Sequence, residues 1–261
     1  MSMEDDEGFE DQGLLGKMGF KSQTSLVKPW SELLDRIDKF WIPGEAPHQS
    51  IIAQTRGGKS HLVRHGIIEP LCQYDKVLVI DVKGDDPTLE GFGHPVRNVP
   101  QWNWRFWNDE PDSKWFRLIV EEDWDRARTQ VATALAQVRK QGGWVIYLDE
   151  TRALTDPRPP GIRLQPEVEQ IWLRGGSRRN CLLAGTQAPK WVPNSFYTQP
   201  QFFWVGRVED EDSQKRLREI GSLNRSILPT IANLKKHHFL EVDNQEDERH
   251  VAISKVEYEG E

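Results

Sequence analysis

Along this chain, short continuous or alternating apolar runs take turns with stretches whose apolar positions recur every three and four residues. Runs at 49–53, 76–81, 115–120, 144–148, 180–185 and 201–208 read as buried strands. The intervening segments 59–71, 125–141, 166–173 and 212–220 read as helices. Ahead of them, Trp30, Leu33, Leu34, Ile37 and Trp41 mark one face of a short amphipathic helix, closed by Pro43, Gly44 and Pro47. Segments 239–242 and 250–255 read as a final edge hairpin. Strands alternating with helices predict an α/β fold with a mainly parallel sheet flanked by helices on both faces. No internal repeat is visible.

The pattern fades at both ends, which sets the expected organisation. Residues 1–27 lack sustained periodicity and read as a disordered acidic tail, 28–47 as a helix and linker, 48–242 as the main domain, and 243–261 as an acidic tail with a possible edge strand. The formal net charge of -7 hides an uneven distribution. Residues 1–12 carry six acidic and no basic side chains, and residues 241–261 eight acidic against two basic. The remainder, residues 13–240, holds 27 acidic and 32 basic side chains, a net charge of +5 that permits contact with phosphates. The tails serve equally well as solubilising segments or as interaction arms. Cys72 and Cys181 are too isolated for a zinc site or a disulfide framework, which fits a cytoplasmic setting. No run approaches the roughly 18–20 apolar residues of a membrane span, so membrane insertion is not expected.

Three strand ends carry the candidate chemistry. The first is Ala53-Gln54-Thr55-Arg56-Gly57-Gly58-Lys59-Ser60, a glycine-containing loop between a strand and a helix, followed by His61. Loop amides and a helix N-terminus form a cradle for anionic oxygens, with Lys59 reaching the β and γ phosphates of ATP and the Ser60 hydroxyl helping to hold Mg2+. The second is the strand 144–148 ending in Asp149 and Glu150. There Asp149 would bind Mg2+ through water, and Glu150 would orient and polarise the water attacking the γ-phosphate. The third is the strand 180–185 ending in Thr186 and Gln187, placed to sense that phosphate. His61 and His65 have the spacing of a metal pair, but no third ligand accompanies them.

Together these segments resemble the FtsK/HerA superfamily of ring-forming, DNA-translocating P-loop ATPases, which includes conjugation coupling ATPases and some viral genome-packaging ATPases. Ala53–Ser60 is similar to the family's GxTGSGKS loop, Asp81-Val82-Lys83-Gly84 to its DxKG signature, and Tyr147-Leu148-Asp149-Glu150 to its second Walker motif. Arg174–Arg179 with Leu183–Pro189 is similar to its RGR and ATQRP stretch, and Phe203–Val208 with Asp212-Ser213 to the segment beyond. Ala53, Arg56 and Ala188 depart from the family pattern. Arg56 is read either as a contact to phosphate or a neighbouring subunit, or as a solvent-facing side chain.

The resemblance implies a RecA-like domain that hydrolyses ATP at the subunit interfaces of a hexameric or pentameric homo-oligomeric ring and moves double-stranded DNA. It implies a trans-acting arginine, for which Arg174, Arg178 and Arg179 are the candidates by position, with Arg207 behind them. DNA contact is expected from the loop 155–165, with Arg158 and Arg163, and from the loop after Gln187, with Lys190 and Trp191. A capsid or transfer-channel protein is the expected further partner. The alternative is a P-loop protein that uses nucleotide binding to regulate assembly or a protein partner, without DNA translocation.

Overall fold

The computed structural model describes residues 29–40, 47–73, 75–84, 86–99, 112–159, 161–220, 227–244 and 251–255. The expectations for residues 1–27 and for the last acidic residues lie outside this range, as do Trp102, Trp104 and Trp107.

A nine-stranded sheet organises the molecule, in the order β3-β4-β2-β5-β6-β1-β7-β8-β9. The strands are β1 (Gln49–Ile52), β2 (Lys76–Asp81), β3 (His94–Val96), β4 (Trp115–Ile119), β5 (Trp144–Leu148), β6 (Cys181–Thr186), β7 (Phe202–Val205), β8 (His238–Asp243) and β9 (Val251–Lys255). β1 to β7 run parallel. β8 closes the sheet antiparallel to β7, and β9 pairs antiparallel with β8, as the edge-hairpin reading of the sequence expects.

The central strands carry apolar side chains on both faces because helices cover both, and this is why the sequence shows continuous runs there. One face packs Ile80, Leu118, Ile146, Leu148 and Leu182 against the long helix Trp124–Gln141 and the helix Gln165–Arg174. The other packs Ile51, Val79, Tyr147 and Leu183 against Leu62, Val63, Ile67 and Ile68 of the helix that follows β1. Each fully buried aliphatic side chain in these layers contributes about 1.5–3 kcal/mol.

The helix after β1, called α1 here, begins at Lys59–His61, widens into a π-helical stretch at Leu62–Ile68 and ends at Glu69–Leu71. The helix Trp30–Phe40 lies against the same layer, where the buried Trp30 ring sits 5.6 Å from that of Trp204. Asp123 caps Trp124–Gln141 by accepting from the Arg126 amide, and Gly142 ends the helix at a φ of 71°.

Some elements differ from the sequence expectation. β3 and the short helices Thr151–Thr155, Ser195–Thr198 and Leu228–Ala232 are absent from it. With three to five residues, none completes enough periods to be recognised. The helix expected at 212–220 spans Glu211–Leu217 and starts on the Asp210 cap. Both cysteines are buried and free, and among the described residues no helix is long and apolar enough to cross a membrane.

Candidate functional site

Parallel strands deliver their C-terminal ends to one edge, and registers fix which residues meet there. Ile52 pairs with Thr186, Leu148 with Ala184, and Ile80 with Leu148. The residues just past β1, β5 and β6, together with the end of β2, therefore converge at a single crevice, the usual place for a ligand in an open α/β sheet.

Lys59 is the centre of that crevice and is only 5% exposed. Its ammonium donates to the Asp149 carboxylate at 2.5 Å, to the Asp149 carbonyl oxygen and to the Tyr147 hydroxyl at 3.2 Å. The same carboxylate oxygen of Asp149 accepts from Ser60 Oγ at 3.0 Å and from the Tyr147 hydroxyl at 2.7 Å. Burial alone pushes the Asp149 carboxyl up. The Lys59 charge and the hydrogen bonds from Lys59 and Tyr147 outweigh it and hold the group below the usual carboxylate range. Burial and the neighbouring Asp149 charge push the Tyr147 hydroxyl well up, so it stays a neutral donor.

Lys83 stands 3.9 Å from the second oxygen of Asp149 and binds Asp86 at 2.6 Å, while Asp86 accepts from the amide and hydroxyl of Thr88. Asp81 ends β2 at the same level. Burial raises its carboxyl, partly opposed by the hydrogen bond from the Gly84 amide and by the Arg117 guanidinium 4.0 Å away.

Glu150 occupies the other side of the crevice. One carboxylate oxygen accepts from Thr186 Oγ1 at 2.8 Å and the other from the Gln187 amide at 3.0 Å. Burial raises its pKa, with the Lys59 charge and these two donors pulling the other way. A carboxylate poised above its ordinary value is better matched to accepting a proton near neutral pH. Gln187 in turn accepts from Thr55 Oγ1 at 2.8 Å, tying the third strand end to the phosphate loop.

The loop takes its shape from two residues in left-handed backbone, Arg56 at a φ of 61° and Gly58 at 92°. Glycine makes that conformation without strain at position 58, while Arg56 costs on the order of 1–2 kcal/mol there. The Arg56 side chain is exposed, in keeping with the solvent-facing alternative. Gln54 and Thr55 are also exposed, Gly57 and Ser60 half-buried. Ala53, only 1% exposed, fits because a Cβ on Gly57 or Gly206 would come within 3.2 or 3.1 Å of its methyl. His61 stacks on His65 at 4.4 Å, outside the Lys59 and Asp149 cluster; burial and the nearby histidines lower its pKa to about 4.

Two contributors escape the motif reading. Tyr147 counts as one more apolar strand residue in the sequence, yet it faces the same way as Asp149 because strand side chains repeat every second position. Gly185 is the other. A Cβ there would lie 2.9 Å from the Asp149 carbonyl oxygen, 3.0 Å from Lys59 Cδ and 3.1 Å from Lys59 Nζ. Gly185→Ala is therefore expected to displace Lys59 and weaken nucleotide binding at least about fivefold, the lower end of the 1–3 kcal/mol of an overpacked site. Titration with a fluorescent ATP analogue checks this, and unchanged affinity in a folded variant contradicts it.

The remaining expected site residues lie elsewhere. Arg174, Arg178 and Arg179 precede β6, so they sit at the opposite sheet edge, about 17 Å of strand away from Thr186. Arg178 donates to the Lys140 carbonyl at 3.1 Å. Arg207 pairs with Glu209. Arg158 pairs with Asp156, and Lys190 lies 3.8 Å from Asp212. Arg163 is exposed in left-handed backbone, held between the bonds from Ile162 N to Ala153 O and from Leu164 N to Leu154 O.

The donor set suits Mg2+. The Ser60 hydroxyl and Asp149 carboxylate are hard oxygen ligands 3.0 Å apart, and Mg2+ in nucleotide sites draws one or two ligands from protein and the rest from phosphates and water. Among the described residues no group of three or more His, Cys, Asp or Glu is arranged to hold a metal.

No family model and no curated protein matches the sequence. Solved structures do match. The genome packaging NTPase B204 from Sulfolobus turreted icosahedral virus 2, in complex with AMPPCP, superposes with a TM-score of 0.62 at 15% identity, covering 82% of this chain and 100% of that one. VirB4 of Thermoanaerobacter pseudethanolicus gives 0.60 at 11% identity over 81% and 90% of the two chains. The pCW3 conjugation coupling protein TcpA gives 0.52 at 13% identity over 81% of this chain and 60% of that one. The resemblance read from the motifs thus extends to the fold, a RecA-like P-loop sheet with flanking helices.

Proposed function

We propose that this protein is an ATPase of the DNA packaging or DNA transfer type: a ring motor that moves double-stranded DNA for a virus or mobile element. The observation that carries the reading is the convergence of Lys59, Ser60, Asp149, Glu150 and Gln187 at one sheet edge, in a fold shared with a genome packaging NTPase and a conjugation coupling protein.

In this mechanism the phosphates of ATP compete with Asp149 for the Lys59 ammonium, and the loop amides hold the remaining oxygens. Ser60 and Asp149 are the residues that would hold Mg2+, which when bound offsets charge on the phosphates. Glu150 holds and polarises the attacking water and receives its proton, while the Thr186 hydroxyl orients the carboxylate and the Gln187 side chain registers the γ-phosphate. Arg174, Arg178 and Arg179, remote from their own Lys59, are exposed at the sheet edge from which one of them would reach a neighbour's nucleotide. An arginine supplied in trans is worth about 10³–10⁵ in rate. Arg158, Arg163 and Lys190 are the proposed DNA contacts.

Steady-state hydrolysis with and without long duplex DNA, over a salt series, tests the reading. The rate is expected to rise with DNA and the response to fade as salt increases, because phosphate contacts release counterions. A clear rate that ignores DNA at every salt concentration would sink the motor and leave the regulatory alternative.

A further inference from the structure

The two loops expected to contact DNA separately form one device. The Arg158 guanidinium, on the first loop, lies over the Trp191 ring of the second, 4.3 Å from its centroid. Lys190 and Arg152 flank the same ring at 5.2 and 5.7 Å. This clasp forms one wall of a cavity of about 690 Å³ whose other wall includes Thr55, Glu150 and Gln187. The clasp is accessible: the Arg158 side chain is 59% exposed and Trp191 40%.

Asp156 holds the clasp from beneath. Its carboxylate accepts from Arg158 Nε at 3.0 Å, from Nη2 at 3.1 Å and from the Arg158 amide at 3.0 Å, and it stands 3.6 Å from Arg152 Nε. Those contacts lower its pKa to about 2, so it is an anion throughout the physiological range. Glu150 anchors both loops. It accepts from the Arg152 amide at 3.3 Å, at the start of the helix leading to the first loop, and from the Gln187 amide at 3.0 Å, at the start of the second.

We infer that the Arg158–Trp191 clasp is a latch on Glu150 that a nucleic-acid backbone opens: a DNA phosphate takes Arg158 from Asp156, the two loops part, and Glu150 is freed from the Gln187 amide to act on the nucleotide. This rests on the DNA-motor reading. The exchange is chemically matched, because the planar guanidinium fork that binds a carboxylate with two parallel hydrogen bonds binds a phosphodiester in the same way. Three cations grouped round one ring favour a polyanion over a single phosphate. Once Arg158 leaves, the exposed indole face is available to the sugar or base beside the captured phosphate.

The test measures hydrolysis by the full chain and by Asp156→Asn and Arg158→Gln, each without addition, with long duplex DNA and with inorganic phosphate. Asparagine keeps the acceptor for the Arg158 amide, so the turn survives in the first variant. Both variants are expected to hydrolyse ATP without DNA at least about fivefold faster than wild type, the lower end of ordinary coupling between sites, and to gain correspondingly less from DNA. Inorganic phosphate is expected to leave wild type unmoved; stimulation by phosphate equal to that by DNA overturns the polyanion assignment. A wild type that responds to DNA, with both variants at wild-type rate in its absence, overturns the latch alone. A wild type inert to DNA overturns the latch together with the motor reading.

Discussion

Replacing Lys59 with alanine is expected to abolish nucleotide binding and, unusually for a site residue, to lower the melting temperature by a wide margin. Both effects come from one arrangement. Lys59 and Asp149 are 5% and 3% exposed in their side chains and 2.5 Å apart, and the Tyr147 hydroxyl and the Asp149 carbonyl oxygen also take donors from the ammonium. Removing the cation leaves a buried carboxylate with only neutral hydroxyls on that oxygen and the more exposed Lys83 at 3.9 Å from the other. Breaking a buried pair from one side costs about 3–5 kcal/mol. At about 2–4 °C per kcal/mol for a domain of this size, the melting temperature should fall by about 6–20 °C. Loss of one charged contact to the transferring phosphate removes a further factor of about 10²–10³ in rate. Calorimetry separates the two roles: the double variant Lys59→Ala, Asp149→Leu should regain most of the stability and none of the activity. A single variant that melts within about 2 °C of wild type would show that the pair contributes little.

The legibility of this site follows from how local each part is. The phosphate loop, Asp149-Glu150 and Thr186-Gln187 are each a few consecutive residues after an apolar run, so sequence order alone brings them into view. Strand polarity then decides the rest. Parallel β1, β5 and β6 carry these three groups to one edge, and the same polarity carries Arg174, Arg178 and Arg179 to the other, which spacing along the chain does not reveal. Tyr147 and Gly185 were hidden inside apolar runs, where a hydroxyl aimed along the strand face and a missing Cβ leave no mark on periodicity. Lys83 was visible as part of a motif, but only the register of β2 against β5 explains why it stands beside Asp149. The pairing of Arg158 with Trp191 joins residues 33 positions apart through two irregular loops, a contact that no periodic pattern encodes. The fold itself was the easiest part to read, because its central strands are buried on both faces and its helices are amphipathic.

Glu150→Gln is expected to keep the fold and nucleotide binding while lowering the hydrolysis rate by about 10²–10⁴, the usual contribution of a positioned general base. Of the three partners of Glu150, the Gln187 amide on one oxygen and the Arg152 amide on the other can only donate, so the glutamine oxygen can serve one of them, and the shorter bond, at 3.0 Å, is to Gln187. The glutamine NH₂ then points at Thr186 Oγ1, which already accepts from the Ala188 amide at 3.1 Å and can accept again once its own proton turns away. The Arg152 amide, whose 3.3 Å bond is the longest of the three, loses its acceptor, so stability should fall by about 1–3 kcal/mol. What is lost is the negative charge and the basic oxygen, while Lys59, Ser60 and the loop amides that bind phosphates are untouched. Equilibrium binding of an ATP analogue should therefore match wild type while single-turnover hydrolysis slows. Such a variant would also hold nucleotide long enough to trap any assembled ring. Hydrolysis within a factor of three of wild type would remove Glu150 from the chemistry and pass the role of base to another acid at the crevice, Asp81 being the nearest candidate by strand order.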